Sequence, residues 1–396
     1  MTIFPRRKRI ISAVTLLAVG FGLSTIASPA KASLGGDDGL LNLVYSWARY
    51  GNDAYEQQIN ERFSELFIRQ LQDYGSYYEG RDLSPSHNSV PTQGASLLDE
   101  PKDGMDVAFG NYSYGEQTGG DQTGLSAGDQ FSDGVKDKLS MWFNYYRNSF
   151  GSSYTASTSS GNSNLFSLGA DWKYSDRLLY GVGIGFNRTF MDGHTFGAQT
   201  TNEVGSTGHS ITPYISYLLG NYYGIDWGTG AAFTYGVSNL DLRTGNTRGE
   251  SQSRNYSGSV TLNGSKWFDR FNVLGKLAYT RSHSVTDEYI ITGGTKVAQV
   301  DIPLGRISVG GRVSYYFPVW MPYVGATFNY DHLRKRAGAT VAGFGRPTDD
   351  RTDVNMTGGA YFFITDAFTG NISISHTFGR SQLSNTGVNT NLRWAF

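Results

Sequence analysis

The sequence predicts an all-β protein: a transmembrane antiparallel β-barrel of about twelve strands, preceded by a short helical or irregular N-terminal segment. Three observations carry this expectation. From about Lys138 onward, apolar residues recur at every second position, the period of a strand with two unlike faces. The connections between these runs alternate between short and long, as in barrels with short periplasmic turns and longer outer loops. No stretch beyond the first 32 residues has the ~18 consecutive apolar residues of a spanning helix. Such a chain satisfies its backbone in a bilayer only by closing into a barrel.

Composition agrees. The 396 residues include 51 Gly, 26 Tyr and 23 Phe, and no Cys. This rules out a disulfide framework and any thiolate metal site. The first 32 residues read as a secretory signal. Arg6 to Arg9 form a basic start, Ile10 to Ile26 an apolar core, and Ala30-Lys31-Ala32 a small-x-small site with cleavage after Ala32. Cleavage there leaves 28 Lys and Arg against 34 Asp and Glu, so no nucleic-acid partner is expected.

Residues 33–137 form a short N-terminal segment or passenger. Within it, Tyr55, Ile59, Phe63, Phe67, Leu71 and Tyr74 recur every three to four residues. That spacing predicts an amphipathic helix near 52–75; Leu40 to Tyr50 reads as a preceding helical piece. Residues 80–137, rich in Gly, Ser, Asp and Gln, read as linker or surface chain.

Residues 138–396 form the barrel. The expected strands are 139–149, 165–174, 178–190, 209–219, 222–236, 255–267, 271–283, 305–317, 320–335, 353–364, 367–379 and 387–396. In the third, Tyr180, Val182, Ile184 and Phe186 alternate with Gly181, Gly183 and Gly185. Short turns are expected at 175–177, 220–221, 268–270, 318–319 and 365–366. Longer outer loops are expected at 150–164, 191–208, 237–254, 284–304, 336–352 and, smaller, 380–386. Tyr145, Tyr146, Tyr222, Tyr223, Trp267, Phe268, Trp320, Tyr330 and Trp394 lie near strand ends and suit two interfacial girdles.

Several stretches carry a family resemblance. Leu168 to Trp172, the Ser175-Asp176 turn, Gly181 to Phe186, Pro322 to Tyr330, His376 to Gly379 and Asn391 to Phe396 together resemble the translocator domain of autotransporters, the type V secreted proteins. The resemblance covers roughly 138–396. It implies a twelve-stranded outer-membrane barrel that meets periplasmic chaperones and is inserted by the barrel insertion machinery, with an N-terminal passenger passing through the lumen. It also implies that the closing strand, with Leu392, Trp394 and terminal Phe396, is an assembly signal. Two departures stand out: the passenger is short, without β-helix repeats, and no Asn-Asn pair offers a self-cleavage junction.

Catalytic motifs are weak. Gly181 to Gly185 lacks the spacing of a dinucleotide loop, and none of the six His falls in a zinc-protease pattern. Gly128-Asp129-Gln130-Phe131 lacks the serine of a lipase start. No enzyme activity, cofactor or metal is expected. Asp171, Asp226, Lys276, Arg306, Arg312 and Arg393 fall on the polar phase of their strands and are candidate lumen-lining residues. Pairing with lumen acids and a plug is favoured over an ion-selective pore.

The expected function is an outer-membrane, autotransporter-like barrel of a Gram-negative-type bacterium that carries or displays its short N-terminal segment. The alternatives are a small-solute porin or an adhesin-like barrel binding an unknown surface ligand through its outer loops. The helix near 52–75 is expected outside the barrel, because Phe63, Phe67 and Leu71 match a wet, polar lumen poorly.

Overall fold

The computed structural model describes residues 47, 54, 56–59, 61–68 and 70, and residues 139–396 except 154–156, 176, 196–199, 291, 293, 295, 298, 318, 335–349, 366 and 381–382. The expected signal segment with its Ala32 cleavage site, and the linker at 80–137, lie outside these residues.

Fourteen strands are present among the described residues. They are β1 (Leu139–Ser153), β2 (Ser157–Ser175), β3 (Leu178–Thr195), β4 (Thr200–Tyr222), β5 (Ile225–Thr244), β6 (Thr247–Phe268), β7 (Phe271–Thr286), β8 (Tyr289–Ile290), β9 (Lys296–Val297), β10 (Val300–Tyr315), β11 (Trp320–Arg334), β12 (Thr352–Phe363), β13 (Phe368–Phe378) and β14 (Leu383–Ala395). Strands β8 and β9 pair only with each other; the other twelve close into one antiparallel barrel. The seam joins β1 to β14, from Ser140 opposite Ala395 to Ser152 opposite Leu383. The described helical residues from 54 to 70 form α1.

The barrel carries an apolar outer face. Leu168, Val182, Ile184, Phe186, Val309, Val324, Ile372 and Ile374 all project from the wall with 42% or more of their surface exposed. On the opposite phase sit buried Ser140, Asn144, Ser167, Ser210, Ser259, Asn263, Ser308 and Asn389. Apolar-out, polar-in alternation around a closed sheet is the inverse of a water-soluble barrel and defines a transmembrane one. Aromatic contacts mark both borders of this belt: Tyr235 with Tyr256 toward the long connections, and Phe317 stacked on Trp320 and Trp394 on Phe396 toward the short turns.

The strands run well past their expected outer limits. Most of 150–164, 191–208 and 237–254 is ladder rather than loop, and the β5–β6 hairpin ends in the turn Gly245-Asn246. The 284–304 connection holds the small β8–β9 hairpin; most of 336–352 lies outside the described residues. The reason is physical. Above the belt the outward phase faces water and carries Asp192, Asp241, Arg248 and Glu250, so the lipid-facing alternation fades while the hydrogen-bonded ladder continues. There the inner face turns apolar: Phe150, Met191, Val204, Leu240, Leu242 and Ile302 are buried together.

Three local expectations need correction. The β4–β5 turn is Tyr223-Gly224, with φ of 58° and 72°, not Gly220-Asn221. Gly220, at φ 110°, instead sits at a register shift in the ladder. Tyr146 and Trp267 are not girdle residues. Adjacent strand positions face opposite ways, so Tyr145 points out while Tyr146 is buried at 2% exposure inside the barrel; Trp267 likewise packs on the buried inner-face residue Tyr316.

Candidate functional site

The site is the lumen, and α1 occupies it. This overturns the expectation of an external helix. Phe63 and Phe67 are buried at 2% and 1% exposure. Their rings rest directly on the backbone of β5. A Cβ added at Gly230 would lie 2.3 Å from a Phe63 ring carbon, and one at Gly228 would lie 2.4 Å from Phe67. With Ala232 completing this inward phase beside Phe63, the wall offers slots where side chains are missing. A polar lumen thus accepts an apolar helix face, because β5 removes its own side chains there.

The helix has a defined polarity. Trp47, upstream of α1, packs with Phe150, Met191, Val204, Leu240 and Tyr289 at the outer end. Gln70, at the other extreme, accepts a hydrogen bond from Ser216 Oγ (2.7 Å) and donates to the carbonyls of Ser216 and Arg177 at the short-turn end. Residues 54–70 span about 25 Å at 1.5 Å per residue, which matches the height of a barrel's apolar band. The chain therefore passes from the outer to the periplasmic end as residue number rises.

Polar contacts fix the middle of the helix. Gln57 donates to Ser375 Oγ (2.6 Å) and accepts from Tyr146. Gln58 donates to Asn144 and Ser167. Arg62 forms a buried ion pair with Asp171 and lies over the Trp142 ring, 4.7 Å from its centroid. Asp171 also accepts from Tyr214 and Ser140, and Arg393 stands 3.5 Å away. On the opposite wall Glu56 pairs with Arg306 at 3.1 Å. Arg306 also donates to Asp331 (2.7 Å), Arg380 bridges Asp331 and Asp353, and Asn329 donates to Asp353.

The candidate lumen residues fall as follows. Asp171, Arg306, Arg312 and Arg393 are buried inside the barrel. Lys276 lines an interior cavity with Glu61. Asp226 shares the inward phase but sits beside the β4–β5 turn, accepting from Asn221 at 2.7 Å. The structure brings Arg62 to Asp171 and Glu56 to Arg306. Arg312 donates to Tyr361 and lies over the Tyr323 and Tyr361 rings. Sequence reasoning missed the slots at Gly228 and Gly230, the acids Asp331 and Asp353, and the Trp47 anchor. The Gly-x-Gly pair followed by Ala232 on one strand phase was the available signal.

The periplasmic end is closed by apolar packing. Phe67 and Ile68 meet Leu218, Leu274, Met321, Tyr323 and Tyr361 there. The lumen is thus built in three storeys: an apolar outer cluster, a polar and charged middle, and an apolar seal.

A closed twelve-stranded barrel with a helix through its lumen and both sheet termini at the periplasmic rim decides the architecture. The fold is that of an autotransporter translocator domain. The structure is similar to the translocator domain of the autotransporter NalP from Neisseria meningitidis, with TM-score 0.53 and 12% identity over 66% of this chain and 89% of that one. It is similar also to the transport unit of the autotransporter AIDA-I from Escherichia coli, with TM-score 0.52 and 13% identity over 67% of this chain and 92% of that one. No protein-family model and no curated protein matches the sequence. With the translocator fold and a lipid-facing belt, the protein is an outer-membrane β-barrel of the Gram-negative type. The described part of α1 reaches residue 70, and β1 begins at Leu139.

Proposed function

We propose that the protein is a non-enzymatic translocator-like barrel that carries its own N-terminal segment through its pore and presents the residues upstream of Trp47 at the cell surface. The observation that carries this reading is the polarity of α1: its upstream side is anchored at Trp47 in the outer cluster, and its downstream side at Gln70 on the periplasmic rim. The fixed contacts along the helix and the apolar seal below it favour a retained plug over an open diffusion pore. The reading includes insertion by the barrel assembly machinery after signal cleavage at Ala32.

An epitope inserted after Gly36 tests it. The epitope should bind antibody on intact cells. If it is reached only after the outer membrane is permeabilised, the display reading is wrong.

A further inference from the structure

The plug does not fill the lumen evenly. Between α1 and the wall from β7 through β10 to β14 lies a cavity of about 680 Å³, counting the solvent at its mouth. It reaches the outer rim at Leu383 and Asn385. Among the described residues, the β13–β14 ladder ends at Thr377 opposite Asn385, whereas β5 and β6 pair out to Thr244 and Thr247. Toward the periplasm the apolar seal around Phe67 closes the lumen. Among the described residues, the cavity is open toward the outer rim and closed below.

Its charges divide into two groups. Glu56 is held by Arg306, and Asp353 by Arg380. Glu61 and Lys276 also line the cavity; they attract each other across it, with the Arg312 charge near both, and neither touches a described residue through a hydrogen bond or a contact ion pair. Both are partly exposed to the cavity. The remaining surface is mostly amide and hydroxyl, including Asn355, Thr357, Thr377 and Asn385, and none of the described lining residues is aromatic. A sugar ring or an apolar ligand would find no stacking face there. An acid and a base that attract each other across a confined polar space without touching suit a ligand with one charge of each sign.

We propose that this pocket binds a small zwitterionic amino acid, with its ammonium toward Glu61 and its carboxylate toward Lys276. Charge-assisted hydrogen bonds at both ends then replace bridging water. A ligand bearing only one charge leaves the opposite group without a partner, which is how the pocket discriminates. The site requires the helix in the lumen, since Glu61 belongs to it, but not the display of residues upstream of Trp47.

The test is calorimetric titration of the full-length barrel, refolded in detergent, with glycine and γ-aminobutyrate, and with acetate and ethylammonium as single-charge probes. At least one amino acid should bind saturably and more tightly than either single-charge probe. K276M and E61Q should each weaken it by about tenfold or more, ~1.4 kcal/mol. T357F, which fills the cavity without altering charge, should abolish binding while heat-modifiability shows an intact barrel. The proposal is overturned if no amino acid binds saturably, if acetate binds as tightly as glycine and γ-aminobutyrate, or if binding survives T357F.

Discussion

The seat of Phe63 on Gly230 supports a quantitative prediction. In Gly230→Val the new Cβ would fall 2.3 and 2.4 Å from two ring carbons of Phe63. Carbon atoms in contact normally stand about 3.5–4.0 Å apart, so the ring or the helix must move. Overpacking of this kind costs about 1–3 kcal/mol. If that cost falls on the plugged state alone, the ratio of open to plugged barrels rises by about 5–150-fold. Single-channel recording in planar bilayers reads this directly: the parent should be almost always closed, and Gly230→Val should open in proportion. Phe63→Ala alone should also loosen the plug, because a buried Phe contributes about 1.5–3 kcal/mol. The double variant should be less open than the two single effects combined, since removing the ring makes room for the valine, with a coupling of about 0.5–3 kcal/mol. Additive effects, or an unchanged Gly230→Val, would refute the seating of the helix against β5.

Other predictions follow from the same geometry. Asp171→Asn removes the carboxylate that faces Arg62 and Arg393 in a buried cluster; the barrel's thermal unfolding midpoint should fall, in line with the ~3–5 kcal/mol cost of breaking a buried pair from one side. A tag at exposed Gly294, in the β8–β9 hairpin, should be labelled on whole cells, and one at Asp269, in the β6–β7 turn, only after permeabilisation. Phe396 donates its backbone N–H to Leu139 at the seam and stacks on Trp394. Phe396→Ala should reduce heat-modifiable barrel in the outer membrane without reducing synthesis, as measured by fractionation and gel shift.

The barrel was legible because lipid imposes its pattern on every strand it touches. Val182, Ile184 and Phe186 had to face out, and Gly183 and Gly185 in, whatever the tertiary detail. Above the belt that constraint lapses. Leu240 and Leu242 then point inward beneath outward Asp241 and Arg243, and a stretch that reads as polar loop is ladder. The plug is hidden in the sequence for a related reason. A helix with Phe63 and Phe67 on one face needs an apolar partner, and the lumen phase reads as uniformly wet. Glycine on the inward phase of β5 meant missing side chains, not polarity. The ion pairs were harder still to foresee. Polar-phase charges can be placed inside from sequence, but which of them meet depends on strand stagger and on the height of the helix, which set Glu56 beside Arg306 and left Asp226 at the turn.

The claim on which the rest depends is that α1 lies in the lumen against β5. The chain has no cysteine, so paired substitutions Phe63→Cys and Gly230→Cys report without background. Mild oxidation of cells carrying this pair should cross-link the helix to the wall in most of the inserted barrel, and an impermeant thiol reagent should fail to label position 63 on intact cells. Failure to cross-link, together with ready labelling of position 63 from outside, would contradict the account and place the helix on the surface.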